Sequence, residues 1–237
     1  MLIGRSHYTR ALWTAAFSIL FRCSCNVTCG STTTTPPEKE ENSPAIEAAG
    51  GWKDRYARGT WDWSFEVAYL FAVVPNPWHC LIDLKAYDAN VNDYKFVTQT
   101  LGLRYRLTDV EGPSFFPISV QLCGDVVVTE IVKGPESYFF GSAFGMHFDY
   151  VQRRWPVVPY VDFRIGPGGI DAAKGEHGQQ SKFEFTYLWG AGLRYDISSS
   201  LSVSVGALDQ HFSDAWLAPR NLSVDNVGVN IRLEKKF

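Results

Sequence analysis

Apolar and polar residues alternate along this sequence in long runs, and this alternation limits the fold more than any other feature. In the clearest run, the odd-numbered positions from Phe183 to Ile197 are all apolar or aromatic, and most positions between them are Gly, Glu, Thr, Arg or Asp. A period of two belongs to a β-strand, whose successive side chains point to opposite faces. The pattern returns in seven other segments, so the sequence predicts an all-β fold of eight strands.

The predicted strands are long for a water-soluble protein. They cover residues 61–73, 101–107, 118–129, 144–150, 161–165, 183–197, 201–207 and 227–237. The longest exceed the roughly five or six residues of an average globular strand and match the roughly 9 to 11 that cross a membrane on a tilt. One face is apolar and the other is rich in Gly, Ser, Thr, Asp, Glu and Arg, as lipid outside and a polar lumen inside require. A soluble β-sandwich satisfies part of the pattern, but strand length favours an eight-stranded antiparallel transmembrane β-barrel of the outer membrane over residues 59–237.

The connections between the predicted strands suggest an orientation. Residues 198–200 and 153–156 form short turns, whereas residues 75–93, 166–180 and 214–222 form longer loops. Short turns of such barrels lie in the periplasm, so odd-numbered strands are expected to run outward and the chain to end in the periplasm. The final strand closes on Phe237, which resembles the C-terminal strands that the barrel-assembly machinery reads, and that machinery is an expected partner.

The N-terminal part of the chain has the layout of an export signal. Residues 11–21 are the longest apolar stretch, Arg5 and Arg10 precede it, and it is shorter than the roughly 20 residues of a spanning helix. We therefore predict a signal peptide over residues 1–29 and a flexible periplasmic lead over residues 30–58. An ordinary buried helix is the alternative for the apolar stretch, and lipid attachment to one of the cysteines near residues 23–29 is the alternative to plain cleavage.

Composition excludes several other classes of protein. Hydrophobic residues make up 46% of the chain and charged residues 20%, which argues against disorder. The net charge of -3 provides no basic field for a phosphate backbone, so no nucleic-acid partner is expected. Cysteines, histidines and carboxylates show no metal-site or redox spacing, so no metal and no other cofactor is expected. His147 and Asp149 share the lumen face and are interpreted as part of the lumen filling.

The hairpin of the last two strands carries residue types that can perform ester hydrolysis. His211 and Ser213 are two apart on a strand, so both side chains leave the same face about 6 to 7 Å apart along the chain. If Ser213 lies opposite Ser223, then Asp225 lies opposite His211 on the neighbouring strand, roughly 5 Å away. The three residues then form a Ser/His/Asp set with a nucleophile, a base and an acid that orients the base.

The parity of these positions indicates which face they occupy. Asp225, His211 and Ser213 are odd-numbered like the apolar residues of their strands, so a regular hairpin places the set on the lipid-facing side near the rim. A β-bulge at residues 207–209 would instead turn His211 and Ser213 inward and separate them from Asp225. A polar strand end beside a loop is the non-catalytic interpretation of the same residues.

At these residues the sequence resembles the PagL-type lipid A 3-O-deacylase family. That family has an eight-stranded outer-membrane barrel whose last strands carry an H-x-S-N motif, then an Asn, then an acidic residue twelve positions after the serine. Here His211 and Ser213 match the start of the motif, Asn221 matches the later Asn, and Asp225 lies at the twelve-residue interval. The resemblance implies a metal-free serine esterase that faces lipid A, the lipid part of lipopolysaccharide, among the outer-membrane lipids and removes the ester-linked acyl chain at its 3 position.

The resemblance also assigns roles and shows two departures. Ser213 is the expected nucleophile, His211 the base and Asp225 the orienting acid, one methylene shorter than the usual glutamate. Asp214 replaces the family's Asn, which is thought to help an oxyanion hole, and a carboxylate cannot donate a hydrogen bond. Backbone amides near Asp214 and Ala215 are then the expected oxyanion donors, with Asn221 in support. The alternative, which Asp214 favours, is a non-catalytic barrel that serves adhesion or envelope structure.

The export prediction is tested by the N-terminus of the mature protein. Because the apolar stretch is too short to span a membrane, we expect protein recovered from outer membranes to begin between residues 23 and 31. N-terminal sequencing measures this directly. An intact Met1 in that fraction would contradict the prediction, and lipid on Cys23, Cys25 or Cys29 would favour the lipoprotein alternative.

Overall fold

The structure, a computed structural model, describes residues 55–73, 94–113, 115–152, 155–171, 179, 181–215, 217 and 223–237. The predicted signal peptide, most of the predicted lead and Asn221 lie outside these residues. Within them, no helix has the length and apolarity needed to cross a bilayer.

Eight antiparallel strands form one closed barrel, as the sequence predicts. Each strand pairs with its neighbours in chain order, and β8 pairs back onto β1 to close the sheet. The strands are β1 (Trp61–Val73), β2 (Lys95–Arg106), β3 (Ile118–Lys133), β4 (Tyr138–Tyr150), β5 (Val158–Ile170), β6 (Phe183–Asp196), β7 (Leu201–Ser213) and β8 (Val224–Lys236). We call the end of the barrel that holds Trp61 the near end and the end that holds Val73 the far end.

The connections depart from the predicted alternation of short and long. At the near end, β2 and β3 are joined by residues 107–117, which is longer than the short turns expected there. At the far end, β3 and β4 are joined by residues 134–137 alone. The prediction of a loop at residues 166–169 is also wrong, because these residues belong to β5 and pair with residues 183–186 of β6.

The outer surface of the barrel is apolar. The outward side chains of β1 are 40% to 48% exposed although they are aromatic or aliphatic, and Val229 and Ile231 of β8 are each 57% exposed. In water such a continuous apolar surface would be unfavourable, whereas in a bilayer it contacts acyl chains. The apolar residues that recur at every second position of the sequence therefore form the lipid-facing surface of the barrel.

The near half of the lumen is filled by paired charges. Glu66 accepts hydrogen bonds from Arg164 Nη2 at 3.0 Å and from Arg232 Nε at 2.7 Å, and Arg164 Nη1 also donates to Asp125 at 3.0 Å. His147 lies between Asp149 and Asp162, with ring nitrogens 2.9 and 3.3 Å from their carboxylates. The arginines with 0% or 1% exposure are Arg104, Arg106, Arg164, Arg194 and Arg232. Burial of so many charges is tolerated because each lies beside groups of opposite charge.

The far half of the lumen contains a large apolar cluster beside buried polar side chains such as Thr98, Gln210 and Glu184, which differs from the uniformly polar lumen that the sequence predicts. Its buried side chains include those of Leu70, Phe96, Val127, Ile131, Phe139, Ile170, Leu188, Leu208, Phe212 and Val224. In β4 both faces are apolar at this end, because Phe139 and Ala143 point into the lumen, so alternation is lost and the predicted strand starts too late. β4 therefore begins at Tyr138 rather than at residue 144. β2 begins at Lys95 rather than at residue 101, because polar Gln99 on its outer face and apolar Phe96 on its lumen face interrupt the alternation.

Two residues of the predicted lead lie in the near-end mouth of the barrel. Arg55 and Tyr56 are each 3% exposed. Arg55 Nη2 donates to Ser202 Oγ at 2.7 Å, and the Tyr56 hydroxyl donates to Asp196 at 2.9 Å. The guanidinium of Arg194 lies 5.2 Å from the centroid of the Tyr56 ring. These contacts make residues 55 and 56 part of the barrel rather than of the lead.

The lumen charges allow a test of how the barrel is stabilised. Glu66→Gln keeps the size of the side chain but leaves Arg164 and Arg232 with one fewer carboxylate, so we expect the free energy of unfolding to fall by about 3 to 5 kcal/mol. Urea titration of the protein refolded in lipid vesicles measures the change. Ser64→Ala is the matched control, because Ser64 is buried two positions away and its hydroxyl has no hydrogen-bond partner among the described residues. Equal losses in the two variants would contradict the expectation.

Candidate active site

The β7–β8 hairpin places His211 and Asp225 opposite each other on the outer face. Their pairing is part of an unbroken register that runs from Leu201 opposite Lys235 to Phe212 opposite Val224. No bulge interrupts it, so the parity prediction is confirmed and the bulge alternative is wrong. Leu208, Gln210 and Phe212, the even-numbered neighbours, are buried in the lumen.

His211 and Asp225 form a hydrogen bond. The distance from His211 Nδ1 to Asp225 Oδ1 is 2.8 Å, and the two side chains are 11% and 5% exposed. An ionised carboxylate only accepts hydrogen bonds, so Nδ1 carries the donated proton and Nε2 is the nitrogen without a proton in the neutral ring. This is the tautomer in which a histidine can act as a base through Nε2.

Sequence reasoning missed the aromatic side chains of β6 beside this pair. Tyr187 lies directly opposite His211, and their rings pack edge to face with centroids 5.3 Å apart. Phe185 lies opposite Ser213 in the same way, and Trp189 follows on the same outward face. The odd parity that these residues share with His211 and Ser213 was the available signal, but the pairing of β6 with β7 was needed to use it.

Ser213 is the last residue of β7 and lies beside a tight turn. Its side chain is 9% exposed, and its Oγ accepts a hydrogen bond from the backbone N–H of Ala215 at 3.2 Å. Ala215 has a φ of 54°, a left-handed conformation that is unusual for a residue other than glycine. The turn continues with a hydrogen bond of 3.1 Å from the amide of Leu217 to the carbonyl of Asp214. A strained backbone thus directs one amide to the serine oxygen.

The side chain of Asp214 is buried and is not exposed beside Ser213 on the outer face. Its side chain is 1% exposed, and its charge interacts with that of Glu184, which faces the lumen from β6. Both carboxylate oxygens of Glu184 lack a hydrogen-bond partner among the described residues. The contribution of Asp214 to the outer face is therefore its backbone. Asn221, the other support residue predicted from the sequence, lies outside the described residues.

The described part of the chain contains no group of three or more His, Cys, Asp or Glu side chains arranged to hold a metal ion. What the hairpin does bring together is an imidazole that is hydrogen-bonded to a buried carboxylate and a serine on the same strand face. A backbone amide is directed to the serine oxygen. This arrangement can support attack of the hydroxyl on an acyl carbonyl, with the imidazole as base.

A family profile matches more than half of the chain. The profile of the lipid A 3-O-deacylase (PagL) family covers residues 98–234, which includes His211, Ser213 and Asp225.

Other comparisons show weaker similarity. A curated relative, the serine/threonine-protein phosphatase 2A activator 1 of Kluyveromyces lactis, is 22% identical over 70% of this chain and 40% of its own length. The chain thus spans about two fifths of that relative, and no family follows from this identity.

Two solved structures of outer-membrane proteins resemble the barrel. The outer membrane enzyme PagL is 18% identical over 72% of this chain and 97% of its own, with a TM-score of 0.48. OprG from Pseudomonas aeruginosa is 10% identical over 76% and 96%, with a TM-score of 0.34.

The turn after Ser213 makes a prediction about Ala215. A left-handed alanine is strained by its Cβ, so we expect Ala215→Gly to raise the free energy of unfolding by up to about 1 kcal/mol. Ala207→Gly is the matched control, because Ala207 lies in the regular part of β7 and should be destabilised by roughly 0.5 to 1 kcal/mol. Urea titration in lipid vesicles measures both. Destabilisation of equal size in the two variants would show that the turn stores no strain at Ala215.

Proposed function

The chain belongs to the lipid A 3-O-deacylase (PagL) family, and from this membership we propose that it is a lipid A deacylase. It is an integral β-barrel of the outer membrane. The observation that supports the activity best is the 2.8 Å hydrogen bond between His211 and Asp225 on the lipid-facing side, with Ser213 two residues along the same face. A triad in the lumen could not meet a lipid, whereas a triad on the outside contacts the acyl region directly.

The proposed reaction is serine ester hydrolysis at the 3 position of lipid A. Ser213 Oγ attacks the carbonyl carbon of the ester and gives its proton to His211 Nε2, while Asp225 stabilises the imidazolium. The tetrahedral intermediate then expels the sugar hydroxyl, which takes the proton from His211 and leaves an acyl-serine. Water attacks the acyl-serine with His211 again as base, and the fatty acid is released as Ser213 regains its proton.

Backbone groups of the turn are the proposed oxyanion donors. The Ala215 amide already lies 3.2 Å from Ser213 Oγ, close to where charge develops on the carbonyl oxygen during attack. Because the carboxylate of Asp214 is buried on the lumen side, its substitution for the family's Asn removes a side-chain donor without adding a charge beside the oxyanion. Asn221 remains a predicted support residue.

The outward aromatic side chains of β6 are the proposed surface for the acyl chain. Phe185 lies opposite Ser213, and Tyr187 packs on His211, so an acyl chain that enters from the bilayer meets an apolar wall beside the nucleophile.

The proposed substrate also gives the barrel an orientation in the membrane. The far end, which carries the site, then lies at the outer leaflet, where lipopolysaccharide resides, and the near end faces the periplasm. Recognition of β8 and Phe237 by the barrel-assembly machinery stays a prediction.

Variants of the three residues test the mechanism. We expect Ser213→Ala and His211→Ala each to lower fatty-acid release from purified lipid A in detergent by roughly a thousandfold or more, because a nucleophile and its base fail as a unit. Asp225→Ala should retain more activity, since it orients the ring and does not react. Release of the 3-hydroxy fatty acid is measured by mass spectrometry.

Ser204→Ala is the matched control, because Ser204 lies on the lumen face of the same strand and should leave the rate unchanged. Fatty-acid release by Ser213→Ala at the wild-type rate would refute the assignment. No release by the wild-type protein would favour the non-catalytic barrel.

A further inference from the structure

Asp209 is a carboxyl group on the lipid-facing side of β7 that the proposed reaction does not use. It lies opposite Trp189 of β6 and Val227 of β8, and it is 5% exposed. On the same face of the same strand, Val205 is 57% exposed and apolar, as expected for contact with lipid. An ionisable group on the lipid face is costly, so its presence requires a compensating contact.

The nearest candidate for that contact is Asp225. Asp225 pairs with His211 and Asp209 pairs with Val227, so the two carboxyl groups are diagonal neighbours on one face of the hairpin. Both side chains are 5% exposed, so neither carboxyl group is well solvated by water. Asp209 Oδ1 has no hydrogen-bond partner among the described residues.

Two buried carboxylates that lie side by side are not both ionised without a cation between them. Asp225 is stabilised as a carboxylate by its hydrogen bond from His211. Trp189 and Val227, which flank Asp209, carry no charge, and the other titratable side chain on the facing part of β6 is Tyr187. The proton of the carboxyl pair therefore belongs on Asp209, where it turns an acceptor into a hydrogen-bond donor.

We propose that Asp209 is a positioning residue that, as a neutral acid, donates a hydrogen bond to Asp225 and so fixes the carboxylate that orients His211. The inference rests on the proposed function, in which His211 is the base. Asp209 itself touches no reacting atom, so it acts only through Asp225.

Two substitutions separate hydrogen-bond donation from other roles. Asp209→Asn keeps a neutral donor and should retain deacylation within about threefold of the wild type. Asp209→Leu removes the donor and should lower the rate by roughly 10- to 100-fold, the range for loss of a hydrogen bond to a charged group. Val205→Leu, on the same face of β7, is the control and should leave the rate unchanged. A wild-type rate in Asp209→Leu, or an equal loss in Asp209→Asn, would overturn the proposal.

Urea titration and a double-mutant cycle exclude a merely structural role. Leucine suits the lipid face better than a carboxyl group, so Asp209→Leu should unfold at a higher urea concentration than the wild type while its rate is lower. In an Asp225→Ala background, Asp209→Leu should change the rate by less than about threefold, because the residue acts through Asp225. A lower urea midpoint together with independent, multiplicative rate losses would overturn the proposal.

A spectroscopic readout tests the inference even if the protein does not deacylate lipid A. In protein with ¹⁵N-labelled histidine in detergent micelles, the His211 Nδ1 proton should resonate far downfield, and Asp225→Ala should abolish the signal. Asp209→Leu should weaken or shift the signal, and Asp209→Asn should preserve it. An unchanged signal in Asp209→Leu would overturn the positioning role. Absence of fatty-acid release by wild type, with the signal behaving as expected, would refute only the proposed function.

Discussion

Inside a bilayer every backbone N–H and C=O group must find its partner within the protein, and the pairing of β1 with β8 meets this requirement by leaving no free edge. Closure also determines which face each residue occupies, because a shift of one position on a strand would turn its apolar side chains into the lumen and its lumen-facing polar side chains into lipid. The regular register of β7 and β8 is part of this closed system. The opposition of His211 and Asp225 therefore follows from the same constraint that makes the barrel stable in a membrane.

The two halves of the lumen support the site in different ways. In the near half, Glu66, Arg164 and Arg232 hold opposite walls of the barrel together through charge-assisted hydrogen bonds in a water-poor interior. In the far half, Phe212 points inward between the outward-facing His211 and Ser213, and its ring packs on Phe96 and Phe139 with centroids 5.3 and 4.8 Å apart. Since successive residues of a strand share one backbone, anchoring Phe212 in the core also fixes the side chains of His211 and Ser213 on the other face.

The sequence predicts a strand most reliably where an apolar face alternates with a polar one, and some strand ends are missed where this contrast is lost. β1 is found at its predicted bounds because lipid-facing aromatics alternate with Ser64 and Glu66. β4 is predicted too short because Phe139 and Ala143 make its far-end lumen face as apolar as its outer face. For the site, residue spacing within one hairpin is enough to predict that His211 lies opposite Asp225. The contact of His211 with Tyr187 could not be predicted in this way, because it depends on how β7 pairs with β6. The direction of the Asp214 side chain could not be predicted either, because it depends on the turn after Ser213.

The position of the proposed triad is a physical consequence of the proposed substrate. Lipid A is held in the outer leaflet by its acyl chains, so an enzyme that cleaves one of these chains must either extract the lipid or bring its chemistry to the membrane side of the barrel. Extraction into this lumen is excluded by the buried cluster around Phe212 at the far end and by the paired charges below it. The outer face of β6, β7 and β8 is open to lipid and carries the buried His211–Asp225 pair, which low polarity strengthens. A barrel with a filled lumen can therefore be catalytic only on its outside, and the hairpin that pairs with β1 is where the proposed catalytic residues lie.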